Sequence, residues 1–117
     1  MDLIIVRHGK AEDISQKPEG SDFNRSLTDE GVVQVRTMAK ILKGITKYNE
    51  YKNIRIVASS SERTMQSANN ISDILKTAEA IPYDSLYHGD YNALIPDIVS
   101  EHAEADCIIL VGHNPNA

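Results

Sequence analysis

Arg7-His8-Gly9, Ser59-Ser60-Ser61-Glu62-Arg63 and Gly112-His113 lie far apart in the chain, yet together they hold the side chains best suited to an oxyanion. An arginine fork donates two hydrogen bonds to two oxygens at once, so Arg7 and Arg63 would grip a phosphoryl group. Its non-bridging oxygens are charged in ground and transition states alike, and its transfer depends mostly on positioning and electrostatic stabilisation. Neutral imidazole is a competent nucleophile and a fair leaving group, which makes His8 the residue to take the phosphoryl up and later release it. Gly9 lets backbone approach the ring and fix its orientation. His113 would add a further donor once protonated, a state that a bound anion favours. A helix beginning after Ser59 would add backbone N–H groups.

Those residues need elements to bring them together. Leu3-Ile4-Ile5-Val6 is apolar and β-branched and reads as a buried strand ending at Arg7-His8-Gly9. A polar loop with Pro18 and Gly20 runs to about Leu27. Thr28 is a plausible N-cap, with Asp29 and Glu30 in the first turn of a helix. Val32, Val35, Ala39 and Leu42 recur at helical spacing, and Gly44 is a natural stop. A second strand covers Ile54 to Ala58. Ser59 and Glu62 fit the capping-box spacing, so a second helix is expected directly after Ser59, burying Met65, Ala68, Ile71, Ser72 and Leu75. Ile81 to Leu86 suits a short extended piece. A third helix is expected from Ala93 to Ala103 around Leu94, Ile98 and Val99, with Pro96 tolerable only near its first turn. Cys107 to Val111 reads as a third buried strand ending at Gly112-His113.

Strands alternating with helices predict an α/β domain of three layers, α/β/α, with a mainly parallel central sheet. In such sheets ligands bind beyond the carboxyl ends of the strands, where all three chemical stretches fall. At 117 residues the chain has room for one domain, residues 1–117, and one core. A net charge of −5 without a basic tract gives no footprint for nucleic acid, and the scarcity of aromatic residues removes most stacking platforms. No apolar run is long enough to span a membrane, and the N-terminus lacks the pattern of a signal peptide, so it is expected to belong to the fold. Cys107 reads as a small buried strand residue, and a single cysteine suits a cytoplasmic setting. The four histidines offer no close metal-binding pair, and neither a metal nor another cofactor is expected. His88 and His102 read as structural, Met38 and Met65 as core filling, and Arg36 and Arg55 as solvated charges.

Val6-Arg7-His8-Gly9 resembles the Arg-His-Gly signature of the histidine phosphatase superfamily, also called phosphoglycerate-mutase-like. Ser59 to Ala68 resembles its second block, a serine-led loop followed by Arg-Thr-x-Gln-[Ser/Thr]-Ala, and Leu110 to Pro115 resembles its third. Asp22-Phe23-Asn24-Arg25-Ser26-Leu27-Thr28-Asp29-Glu30-Gly31 is similar to a block of the short SixA-type phosphohistidine phosphatases. The resemblance implies a phosphoglycerate-mutase-like fold, His8 as the phosphorylated residue, His113 as the second histidine, and phosphate contacts from Arg7, Arg25 and Arg63. It also implies a reaction without metal. The expected partner is a phosphorylated protein bearing phosphohistidine, or a small phosphorylated substrate.

Two features depart from the larger members. They use a carboxylate as general acid, but Asn114 follows His113 here and no long insertion is present. Asp90 could stand in as proton donor, beside its reading as a turn residue. An imidazole leaving group, with a pKa near ~6.5, needs far less proton help than an alkoxide, so the gap points toward phosphohistidine. Asn114-Pro115 announces a helix, and the chain stops at Ala117, short of the helix and strand with which relatives cover the sheet. The competing expectations are a small-molecule phosphomonoesterase with the same mechanism and a non-catalytic phosphate- or phosphoprotein-binding domain.

Overall fold

The hydrophobic pattern resolves into a four-stranded, wholly parallel sheet with helices on both faces, as the alternation of elements predicts. The computed structural model describes residues 1–13 and 22–113. The expectations for Pro18 and Gly20 and for a helix at Asn114-Pro115 lie outside the described residues. The strands are β1 (Asp2–Arg7), β2 (Ile54–Ser59), β3 (Ile81–Tyr83) and β4 (Cys107–Gly112), and the helices α1 (Asp29–Tyr48), α2 (Glu62–Leu75), α3 (Ser85–His88) and α4 (Tyr91–Glu101). Their order in the sheet is β1-β4-β2-β3, so the last strand in sequence is inserted between the first two.

Strand β4 is buried at every residue, which is why it reads as an unbroken apolar run rather than an alternating one. Cys107, Ile109 and Val111 join Val35, Ala39 and Leu42 of α1 and Ala68 and Ile71 of α2 in one core. Ile108 and Leu110 point the other way, into a second core with Leu86 and Ile98. The helices therefore form two outer layers because each face of β4 needs its own cover. Burial also holds the Cys107 thiol up at about 11, leaving it a packing residue. Ile5, on the edge strand β1, stays 46% exposed.

Several boundaries differ from the sequence reading. Helix α1 runs through Gly44, because that residue faces open space and Thr46 beyond it is still buried. The stop comes at Glu50, whose φ of 57° is left-handed. Glu50 N–H donates to Lys47 O and Tyr51 N–H to Thr46 O, which is the Schellman pattern with glutamate where glycine is usual. Glu50→Gly is accordingly expected to raise stability by about 0.5–1 kcal/mol, read as a higher denaturation midpoint.

No capping box forms at Ser59 and Glu62. Ser59 finishes β2, and Ser61 takes the N-cap position, its hydroxyl 2.6 Å from that of Thr64. Leu86 lies in the short helix α3 instead of an extended piece, because its side chain fills the second core. Helix α4 starts earlier than expected, at Tyr91, since Asp90 caps it, and so Pro96 falls in the second turn. The carbonyl that Pro96 cannot serve belongs to exposed Asn92, where water is available. Arg36 is less solvated than expected: it bonds Asn70 and Asp73 at 2.9 Å each and clasps α1 to α2.

Candidate active site

Parallel pairing sets Arg7 of β1 opposite Gly112 of β4, and Ala58 of β2 opposite Val111. The carboxyl ends of β1, β4 and β2 are thus neighbours, and the residues just past them meet. His8 N–H donates to Gly112 O at 3.2 Å. The rings of His8 and His113 stand edge to face with centroids 5.6 Å apart. A recess of about 390 Å³ is lined by Arg7, His8, Arg25 and Gln34 among others. A larger hollow of about 580 Å³ between Met65 and Ala80 contains none of these groups and is unrelated to the chemistry.

The tautomer of His8 follows from its neighbour. Nδ1 lies 2.6 Å from Gly9 O, and a carbonyl can only accept, so Nδ1 carries the proton and Nε2 keeps its lone pair. Burial holds the ring's pKa below its usual 6.5; the Gly9 bond opposes this, and the charges of Arg63, Arg7 and Arg25 add to it. The imidazole is therefore neutral near pH 7. Gly9 is fixed in turn by its N–H, which donates to Ser67 Oγ at 3.1 Å, while Ser67 Oγ donates to Arg63 O at 2.8 Å. A β-carbon on Gly9 would sit 2.5 Å from Gly31 O, so only glycine lets α1 come this close.

The three arginines differ in how they are held. Arg7 is exposed beside the recess. Arg25 donates through Nε to Glu12 O at 2.6 Å and through Nη1 to Asp22 Oδ1 at 3.0 Å. Its loop is pinned by Glu12 N–H to Ser26 O and by Leu27 N–H to Gln66 Oε1 of α2. Arg63, only 6% exposed, donates to Asp22 O at 2.7 Å, to Asp22 Oδ2 at 3.1 Å and to His113 Nδ1 at 3.2 Å. Tyr87 O–H also donates to Asp22 Oδ2. That bond, with those from the two guanidiniums, holds the Asp22 carboxyl down at about 2.

Because Arg63 can only donate, His113 Nδ1 must accept, and its ring proton sits on Nε2, 3.0 Å from Ser59 Oγ. Burial first, then the charge on Arg63, lowers the His113 pKa to about 4. Imidazolium at this position needs Arg63 to leave Nδ1. The backbone N–H of His113 donates to Tyr91 Oη at 2.9 Å, and Tyr91 also packs so tightly on Gly112 that a β-carbon there would lie 2.2 Å from its hydroxyl.

Arg7, His8, Arg25, Arg63 and His113 thus converge, joined by hydrogen bonds or by the shared recess. Asp90 is engaged elsewhere: its carboxylate accepts from Asn92 N–H at 3.0 Å as the cap of α4. Asp22, Tyr87, Tyr91 and Ser67 support the site without having been assigned a role from sequence, and Ser59, expected as a helix cap, meets His113 instead. For Asp22 the Asp-x-x-Arg spacing to Arg25 was the available signal; the tyrosines carried none. Among the described residues no group of three His, Cys, Asp or Glu side chains could hold a metal ion, and no helix is long and apolar enough to cross a membrane.

Known proteins resemble this chain in sequence and in fold. A sequence model of the histidine phosphatase superfamily (branch 1) matches residues 3–106. A search of curated proteins gave no match. Among solved structures, the protein histidine phosphatase SixA complexed with tungstate is 27% identical, with a TM-score of 0.79 over 98% of this chain and 70% of that one. A SixA from Agrobacterium tumefaciens, assigned as a phosphohistidine phosphatase, is 22% identical, with a TM-score of 0.80 over 97% of this chain and 69% of that one. A phosphoglycerate mutase from Plasmodium falciparum is 24% identical, with a TM-score of 0.62 over 96% of this chain and 60% of that one. The fold is therefore of the phosphoglycerate-mutase-like kind.

Proposed function

Because the chain belongs to the histidine phosphatase superfamily and is a phosphatase, we propose that it removes the phosphoryl group from phosphohistidine on a protein, through a phosphohistidine intermediate on its own His8. The observation that carries this reading is the Nδ1–H bond of His8 to Gly9 O, which leaves an unprotonated Nε2 beside the arginines. Nε2 attacks phosphorus as the substrate's N–P bond breaks, and the positive charge arriving on the ring is shared with the Gly9 carbonyl. Arg7, Arg25 and Arg63 hold the non-bridging oxygens. The substrate's ring leaves as neutral imidazole once its other nitrogen carries a proton from solvent, so no carboxylate acid is needed at the breaking bond, in keeping with the use of Asp90 as a helix cap. Water then attacks the phosphoenzyme, the P–Nε2 bond breaks, and phosphate and neutral His8 are released. A phosphoryl group that draws Arg63 off His113 Nδ1 frees that nitrogen to take up a proton and donate to the anion.

No step calls for a metal. Phosphate release from a phosphohistidine-bearing protein, compared with release from small phosphomonoesters and measured with a chelator present, tests the substrate class and the metal independence together. Faster release from the monoesters would replace the substrate; release abolished by chelation would overturn the metal-free mechanism. The pH profile is a further check. Neutral His8 is the active form, so kcat/KM should be level near neutrality and fall on acidification with an apparent pKa below 6.5. An acid limb centred above that value would contradict the assignment of His8 as nucleophile.

A further inference from the structure

Arg25 and Arg63 come from a loop and a helix far apart in sequence, and a single carboxylate joins them. Asp22 Oδ1 accepts from Arg25, Oδ2 accepts from Arg63 and Tyr87, and the backbone carbonyl of the same residue accepts from Arg63 again. We infer that Asp22 is a positioning and charge-balancing residue: it sets the two arginine forks as one unit and, as a built-in counter-anion, keeps the site from retaining the phosphate it produces. This rests on the reading of the site as a phosphoryl pocket and goes beyond it by assigning control of product release.

The physical case has two parts. Two guanidiniums brought together repel, and a carboxylate bonded to both offsets that repulsion while fixing their directions. Tyr87 anchors the carboxylate from α3, its ring edge-on to Phe23 and to His113 at 5.2 and 5.5 Å. Secondly, Arg7, Arg25 and Arg63 would present three positive charges to a product bearing about −1.5 to −2 near neutrality. Such a pocket would bind free phosphate as firmly as it binds the group to be transferred, and tight ground-state binding does not help turnover. Asp22, ionised far below the working range, cancels one of those charges. A purely structural clasp would need the hydrogen bonds but not the charge.

Asp22→Asn, Asp22→Glu and Tyr87→Phe separate charge from shape. Binding of inorganic phosphate is measured by calorimetry, which needs no turnover, and kcat and KM are measured on the phosphohistidine substrate. Asp22→Asn is expected to bind phosphate about tenfold more tightly, with KM and kcat both lowered. Asp22→Glu restores the charge and should return phosphate affinity toward wild type. Tyr87→Phe keeps the charge, so phosphate affinity should stay within about twofold while kcat falls severalfold. Phosphate binding that is unchanged or weaker in a folded Asp22→Asn protein overturns the charge-balancing role and leaves the phosphatase reading standing. A folded wild-type protein that releases no phosphate from the phosphohistidine substrate, with neither it nor Asp22→Asn binding phosphate, overturns both.

Discussion

Replacing His8 with alanine is expected to lower phosphate release by about 10⁴-fold or more, because among the described residues no other imidazole offers a free nitrogen at the recess in its place. His113 cannot substitute: its Nδ1 accepts from Arg63 and its Nε2 proton faces Ser59. The fold should survive the change. Among the described residues the His8 ring bonds its neighbour's carbonyl and packs edge to face on His113, and the backbone bond from His8 N–H to Gly112 O does not depend on the side chain. Rapid quenching of wild-type turnover should trap a phosphoryl group on His8, stable to alkali and lost in acid, as phosphoramidates are. The alanine variant should show neither adduct nor turnover while still binding phosphate through its arginines. Turnover retained in His8→Ala, or an adduct mapped to another residue, would remove the proposed mechanism. Phosphate binding without turnover in the wild type would leave a binding domain.

The sequence reveals the site better than it reveals the site's support, and the reason is physical. His8, His113 and Arg63 are legible because strand ends in a parallel sheet are predictable from apolar runs: Arg7 and Gly112 end β1 and β4, and Arg63 lies in the first turn of α2 just past β2. The burial of β4 on both faces is equally plain from Cys107 to Val111. By contrast, Tyr87 reaches Asp22 across 65 residues of chain, and no local period encodes such a contact. Helix ends are misjudged where tertiary contacts outweigh propensity. Gly44 looks like a stop, but buried Thr46 extends α1 by another turn and Glu50 accepts the left-handed conformation. Ser59 looks like a cap, but it is drawn into β2, and its hydroxyl meets His113. In each case the missed feature belongs to a pairing between elements that sequence spacing does not specify.

Arg63→Ala should have the second largest effect, and it should appear in three measurements at once. Catalysis should fall about 10³-fold, the range associated with removing a positioned donor from developing charge in a desolvated site. Stability should fall by about 1–3 kcal/mol, since the change empties a buried position and takes the guanidinium donor from the Asp22 carbonyl, which keeps the Arg25 N–H. The third measurement is the most specific. Arg63 donates to His113 Nδ1, and its charge disfavours imidazolium at both His113 and His8. Its loss should therefore raise the His113 pKa from about 4 toward the ordinary range, with burial still holding it partly down. Titration of the His113 ring by NMR reads this directly, and a folded variant whose His113 titrates as in the wild type would break the link between the two residues. Arg63→Lys sharpens the test. It keeps a positive charge, so His113 should remain depressed, but one ammonium cannot span Asp22 O, Asp22 Oδ2 and His113 Nδ1 together. Activity should then stay about 10²-fold below wild type despite the restored charge, which would assign the larger part of Arg63's effect to the direction of its fork.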